Sequence, residues 1–266
     1  MKAKSKFRFT RKALAYPYML FLLIFVVIPL VIILINAFLA DDNSFTFHNF
    51  VEFFSDNGGG LTVLGNSLLI GVVTTVICLA IGYPVAYFLA KYHAKSKVLV
   101  LLFIMPMWVN FLMRTLSTKA IFLALDIELG MGTVLFGLVY NYLPYMILPL
   151  HTTLVSIDHS FVEASVDLGA DKFTVLTKTI IPLSLPGIMS GITMTFIPAI
   201  STFAISEVLS SSKIFLFGDA INIHFSKTTN SFGVGSVMSL VMLVLVIVCN
   251  FVTNLTTKDE GVKSAL

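Results

Sequence analysis

The chain has 266 residues, of which 57% are hydrophobic and 12% charged, with a formal net charge of +3 and a mean hydropathy of +0.96. So much apolar side chain on so little charge excludes a soluble globular domain. The two cysteines, Cys78 and Cys249, sit inside apolar runs and read as small buried hydrophobes, which leaves no disulfide scaffold or cysteine-based zinc site.

Residues 2–12 carry Lys2, Lys4, Lys6, Arg8, Arg11 and Lys12 without an acid. Such a tail can touch anionic lipid or nucleic acid, but beside a membrane span its usual task is to hold its end in the cytoplasm. Residues 13–40 have no charge and are long enough to span, so they read as an uncleaved first helix rather than a signal peptide. The next stretch, 41–60, holds Asp41, Asp42, Glu52 and Asp56 but no lysine or arginine, and Gly58, Gly59 and Gly60 mark a flexible turn in an outer loop.

A second charge-free run, 57–90, closes on Lys91, Lys95 and Lys97. A third span starts near Val98, and Pro106 is expected to bend or split it before Arg114 and Lys119. Asp126 and Glu128 mark a short outer loop, and the fourth span, 133–155, has Pro144 and Pro149 as kink candidates. The fifth span is expected over 186–209, an outer segment over 210–231 and the sixth span over 233–255. Assigned this way, the inner segments hold thirteen Lys and Arg against two in the outer loops, leaving aside Arg114 and Lys119. That asymmetry puts both ends inside. The fold class is all-α: a polytopic membrane protein of six helices, divided into a tail (1–12), a first helix (13–40), a membrane domain (61–256) and a second tail (257–266).

Between the fourth and fifth spans lies a polar insert, 158–186, that the membrane cannot hold. Glu163, Asp167 and Asp171 recur every four residues, so a first short helix would carry all three on one solvated side. Gly169 breaks it, and a second helix from about Asp171 would end at Ile180, ahead of Pro182. The product is a helix-turn-helix knob on the cytoplasmic side. Glu163, Ala164, Gly169 and Pro182 have the spacing of Glu-Ala-Ala, three residues, Gly, nine residues, Ile-x-Leu-Pro. In this the chain resembles the type I permease subunits of bacterial ABC importers; Ser165, Thr179 and Ile181 depart from the pattern. The alternative is a solvated hairpin with no docking role.

The resemblance implies that the knob, with Asp167 on its first helix, docks in a groove of an ATPase subunit. It also implies a second homologous permease, two ATPase subunits and an extracytoplasmic substrate-binding protein, in a bacterial cell membrane. ATP and magnesium would belong to the ATPase partners, because this chain has no Walker motif and no cofactor of its own. The stretches IGYPVAYFLAKY, IMPMWVNFLMRT, GLVYNYLPYMILPL and FIPAISTFAISEVL further resemble the spermidine/putrescine permeases of PotB type. A polyamine route needs acids, carbonyls and aromatic faces to replace water around ammonium groups. Glu207, at the end of a charge-free run, is the first candidate. Trp108, Asn110, Tyr83, Tyr87, Tyr140 and Tyr145 follow, although interfacial aromatics are commonly anchors. Arg114 would repel such a substrate and is expected to pair with an acid such as Asp126 or to snorkel outward.

Gly187 and Gly191 are spaced as a GxxxG packing notch, and Gly71, Gly82 and Gly137 offer further close approaches. Within the transporter class the rivals are permeases for sulfate, iron or phosphonate, or the other permease of the same complex. An ATP-independent channel would not need the knob. A membrane enzyme is disfavoured: His151, His159 and His224 are scattered, His48 and His93 lie in loops, and no HExxH spacing occurs.

Overall fold

The computed structural model describes residues 15–40, 44–55, 59–91, 93–211, 214–226 and 232–263. The basic tail 1–12, Gly58 of the glycine run and residues 264–266 of the second tail lie outside the described residues. The charge-free runs form the long helices: α1 (Ala15–Ala37), α3 (Gly60–Lys91) and α6 (Met131–Ser156), with the last span inside a longer helix, α12 (Phe232–Lys263). A short helix, α2 (His48–Phe54), stands between α1 and α3. Pro144 and Pro149 do not interrupt α6, which runs through both as one helix.

Two further spans are broken. The third comprises α4 (His93–Ile104), a 3-10 turn at Met105–Trp108 and α5 (Phe111–Ala124), with a 91° bend between its halves. This is the break expected at Pro106, which lacks a donor for the helix ladder. Asn110 caps the new helix, its Oδ1 accepting the Leu112 N–H at 2.9 Å. The fifth span, α9 (Leu185–Ser201), joins at 64° the second helix of the polar insert, α8 (Lys172–Leu183). It stops eight residues before the expected end, breaks at Thr202 and Phe203, and is followed by α10 (Ala204–Leu209). Within the segment expected to be outer lies α11 (Phe217–Ser226).

The centre of the molecule is the trio α3, α6 and α9. The buried face of α9 is a stripe of small residues four apart, Gly187, Gly191, Thr195 and Ala199, which lets it lie close against α6. A Cβ on Gly187 would sit 2.6 Å from Thr153 Oγ1, and one on Gly191 2.7 Å from Met146 Sδ. The GxxxG notch is therefore real packing. By contrast α1 buries only Ala37, at its far end, where the Asn49 amide donates to the Ala37 and Leu39 carbonyls at 3.1 and 2.8 Å.

Candidate functional site

The knob is built by local chemistry. Its first helix, α7 (His159–Asp167), starts at Asp158, whose carboxylate accepts the Ser160 N–H at 2.9 Å. It ends in a left-handed Gly169 (φ +84°), with Gly169 N–H bonded to Val166 O at 2.8 Å and Ala170 N–H to Ser165 O at 3.1 Å. That pair of bonds is a Schellman closure. A Cβ on Gly169 would meet nothing within 4 Å, so the constraint is the backbone conformation itself. Asp171 then caps α8, accepting the Thr174 N–H at 3.3 Å. These hydrogen bonds hold the carboxyls of Asp158 and Asp171 below the ordinary Asp range.

Two expectations for the knob are corrected. Asp171 does not share a helical face with Glu163 and Asp167, because the Gly169 turn ends α7 after the second acid and makes Asp171 the cap of the next helix. Nor does the second helix stop before Pro182. It widens to a π turn over Leu176–Ile180, where Ile181 N–H reaches back to Leu176 O, and continues to Leu183. A proline ring crowds the carbonyl four residues earlier, and the wider turn relieves that contact. The same solution occurs in α1, where a π turn over Leu23–Val27 precedes Pro29.

The knob is fastened to the membrane helices on one side and bare on the other. Val175 and Ile180 are buried in a cluster with Met146, Ile147 and Leu150 of α6. Ser165 and Thr179, two of the three departures from the motif, meet with their hydroxyls 2.9 Å apart and tie α7 to α8. At the hinge between α8 and α9, the fully buried Ser184 donates to Ile181 O at 2.9 Å and lies 3.0 Å from the Tyr83 hydroxyl of α3. On the free side Leu168 and Phe173 are 89% and 71% exposed, apolar surface of the kind that marks a docking face.

Away from the knob, two cavities with polar side chains in their walls form. One, of about 140 Å³, is lined by Glu207, Asp219 and Asn222. Asp219 is buried, and its Oδ2 accepts the Ser206 hydroxyl at 2.6 Å and the Leu216 N–H at 2.7 Å. Burial pushes its carboxyl up to about 6, against the lowering effect of those two donors. The other cavity, about 270 Å³, is walled by Phe111, Arg114, Asn141, Tyr142, Tyr145 and the Thr202–Phe203 break.

A family model described as the inner membrane component of binding-protein-dependent transport systems matches residues 3–258. The chain belongs to this permease family. The permease is 33% identical to the Haemophilus influenzae spermidine/putrescine transport system permease protein PotB, over 93% of each chain. It is 33% identical to the Escherichia coli PotB over 77% of this chain and 82% of that one, and 27% identical to the Escherichia coli PotC over 88% and 89%. Among solved structures it resembles a chain of a bacterial alginate ABC transporter complexed with an alginate-bound periplasmic protein (TM-score 0.67, 11% identity, 94% of each chain). It also resembles the MetNI methionine ABC transporter (TM-score 0.57, 18% identity, 73% of this chain and 92% of that one). At such identities the likeness concerns the fold.

The permease does not gather the residues singled out from its sequence into one path. Glu207 is exposed and lines the smaller cavity, whereas Tyr145 lines the larger. Tyr140 lies on the other side of Arg114, in the apolar concavity of the third span. Trp108 is exposed at that bend, and Asn110 beside it is occupied as a helix cap. Tyr83 and Tyr87 instead pack toward the knob-end cluster. Arg114 neither pairs with Asp126 nor snorkels; it is buried, its guanidinium 5.7 Å from the Tyr140 ring centre. Sequence reasoning missed Asp219 and Asn141. The signal for Asp219 was available, a single acid inside the apolar stretch IFLFGDAINI.

Proposed function

We propose that this permease is one half of the membrane pathway of an ATP-driven importer that carries polyamines, such as spermidine and putrescine, into a bacterial cell. The observation that carries the reading is the 33% identity, over 93% of the chain, to a relative named for spermidine/putrescine transport. A second permease completes the pathway, two ATPase subunits bind ATP and magnesium, and an extracytoplasmic binding protein delivers the substrate. The knob and both chain ends face the cytoplasm of the inner membrane, as the lysine and arginine distribution supports.

The exposed Leu168 and Phe173, with Glu163, Ala164, Asp167 and Gly169 around them, seat in the ATPase groove. Pro182 and its π turn keep α8 continuous up to the buried Ser184 hinge, so closure of the ATPases moves α9 and, through Tyr83, α3. This is alternating access, two states biased by distant ligands. At the opposite end Glu207 and Asp219 receive ammonium groups, and a bound cation draws the Asp219 carboxyl back toward its ionised form. Each positive charge entering a cell negative inside gains about 2.3 kcal/mol per 100 mV, so ATP serves mainly to gate the route.

The deciding experiment is uptake of labelled spermidine and putrescine into cells lacking the chain, with wild type or Glu207→Gln restored. Uptake recovered by wild type alone supports polyamine import and an acidic entrance. Equal recovery by both reduces Glu207 to a structural acid, and uptake indifferent to the chain removes polyamines. One observation favours a rival: the buried Arg114 beside a cavity is what an anion permease for sulfate or phosphonate would place there, and uptake of labelled sulfate tests it.

A further inference from the structure

Arg114 presents an unresolved electrostatic problem. It is 7% exposed, and within the described residues its Nε and Nη1 have no hydrogen-bond partner. A guanidinium stays charged at any physiological pH, and the Tyr140 ring at 5.7 Å compensates only part of the water it has lost. Beside it is Asn141, 2% exposed, whose Nδ2 donates to Gly137 O at 2.8 Å while its Oδ1 has no partner. Both residues line the cavity of about 270 Å³. The site therefore offers donors of fixed positive charge, one free acceptor and room for a side chain.

Depth and chemistry choose the occupant. Asn141 lies ten residues into α6, about 15 Å along a helix rising 1.5 Å per residue, and α6 is 26 residues long. The cavity is thus far from either end of the span, beyond the reach of a lipid phosphate at the interface. A polyamine cannot neutralise a guanidinium. Sulfate could, but it carries no proton to give Asn141. A polypeptide segment supplies both needs, a carboxylate for Arg114 and a neighbouring hydroxyl or amide donor for Asn141. We propose that the Arg114–Asn141 cavity is a socket for an acidic side chain of the second permease, forming an ion pair across the interface of the two membrane subunits. The proposal rests on the two-permease assembly put forward above.

The test uses the complete complex, purified through a tag on this chain. Arg114→Glu is expected to lower both recovery of the second permease and polyamine uptake by about a hundredfold, the scale on which a buried ion pair fails when one member is lost. Arg114→Lys, which keeps the charge, is expected to retain most of both. In the Arg114→Glu background each intramembrane Asp or Glu of the second permease is then changed to Lys, and one exchange is expected to restore assembly. Wild-type assembly of Arg114→Glu, or rescue by none of the exchanges, overturns the socket. Should Arg114→Glu fail to reach the membrane, Arg114→Gln replaces it: weakened assembly supports the pair and unchanged assembly overturns it. A raised thermal midpoint of the wild-type complex in sulfate, absent in chloride of equal ionic strength, would give the cavity to an anionic substrate instead. A rescued complex that imports no polyamine keeps the socket and removes the substrate reading; a wild-type chain that holds no second permease removes the assembly and the socket together.

Discussion

The α4–α5 and α8–α9 pairs both turn sharply within four residues, by 91° and 64°, yet the two breaks are finished in opposite ways. At the first, Trp108 and Asn110 remain exposed and α5 turns away to leave a cavity on either side of Arg114. At the second, Ser184 is fully buried, braced by Tyr83 from α3, and the glycine notch of α9 begins three residues later against Thr153. The closed break has its angle fixed by packing from several helices, whereas the open one is held by a single cap. Beside the open break Arg114 and Asn141 keep buried polar atoms without a partner, whereas the Ser184 hydroxyl of the closed break is engaged.

The contrast can be broken most directly at the notch. Gly187→Leu is expected to force α9 from α6 and cost about 1–3 kcal/mol, read as a lower thermal midpoint and lost uptake, since a Cβ added there would already collide with Thr153. A variant of wild-type stability would mean that the closed break is not rigid. Gly169→Val, strained at φ +84° by roughly 1–3 kcal/mol, should leave membrane insertion intact while ATP hydrolysis by the complex no longer drives uptake. Normal uptake in that variant, or in Glu163→Lys, would remove the coupling role of the knob.

Finer changes sharpen the comparison. Tyr83→Phe deletes one hydroxyl from the closed break, about 0.5–1.5 kcal/mol, and should lower the amount of substrate moved per ATP with little change in expression. Asn110→Ala removes the cap of the open break, on the order of 1 kcal/mol, and should lower the thermal midpoint without changing that ratio. If the two substitutions affect coupling alike, the breaks are not different devices. The gentlest probe is pH. Because burial raises the Asp219 carboxyl to about 6, the folded state holds its proton more firmly than the unfolded chain does, so stability falls as pH rises from the ordinary Asp range through about 6 and levels off above it. Asp219→Asn should flatten that profile, and an unchanged profile would place the titration elsewhere.

What could be read from the residues follows the range of the contacts that decide each feature. The turn of the knob was legible because it is local, a glycine at 169 that ends the first helix, whereas the stop expected ahead of Pro182 is absent. The split of the third span at Pro106 was legible for the same reason. The π turns of α1 and α8 were not, since apolar spacing alone does not distinguish one wide turn from the regular helix around it. The far end depends on partners remote in the chain, such as the Phe217 N–H donating to Ser67 Oγ at 2.7 Å, and Asp219 was not singled out. Asn110 was assigned to the substrate path because its capping role shows only once the break beside it has a direction. Arg114 was recognised as misplaced in a cation route, but among the described residues Asp126 does not pair with it.

The π turn at Leu176–Ile180 amounts to a helix holding one residue more than its regular form would accept. It is therefore a place where the chain can gain or lose a residue and still register with α9. Deleting Thr177 together with Pro182→Ala should yield an ordinary helix that keeps Ser184 at the hinge. The same deletion with Pro182 retained should instead rotate Leu168 and Phe173 by about 100° around the knob axis. The orientation of the exposed Leu168 and Phe173 is in this sense a matter of length, set by one surplus residue and guarded by one proline.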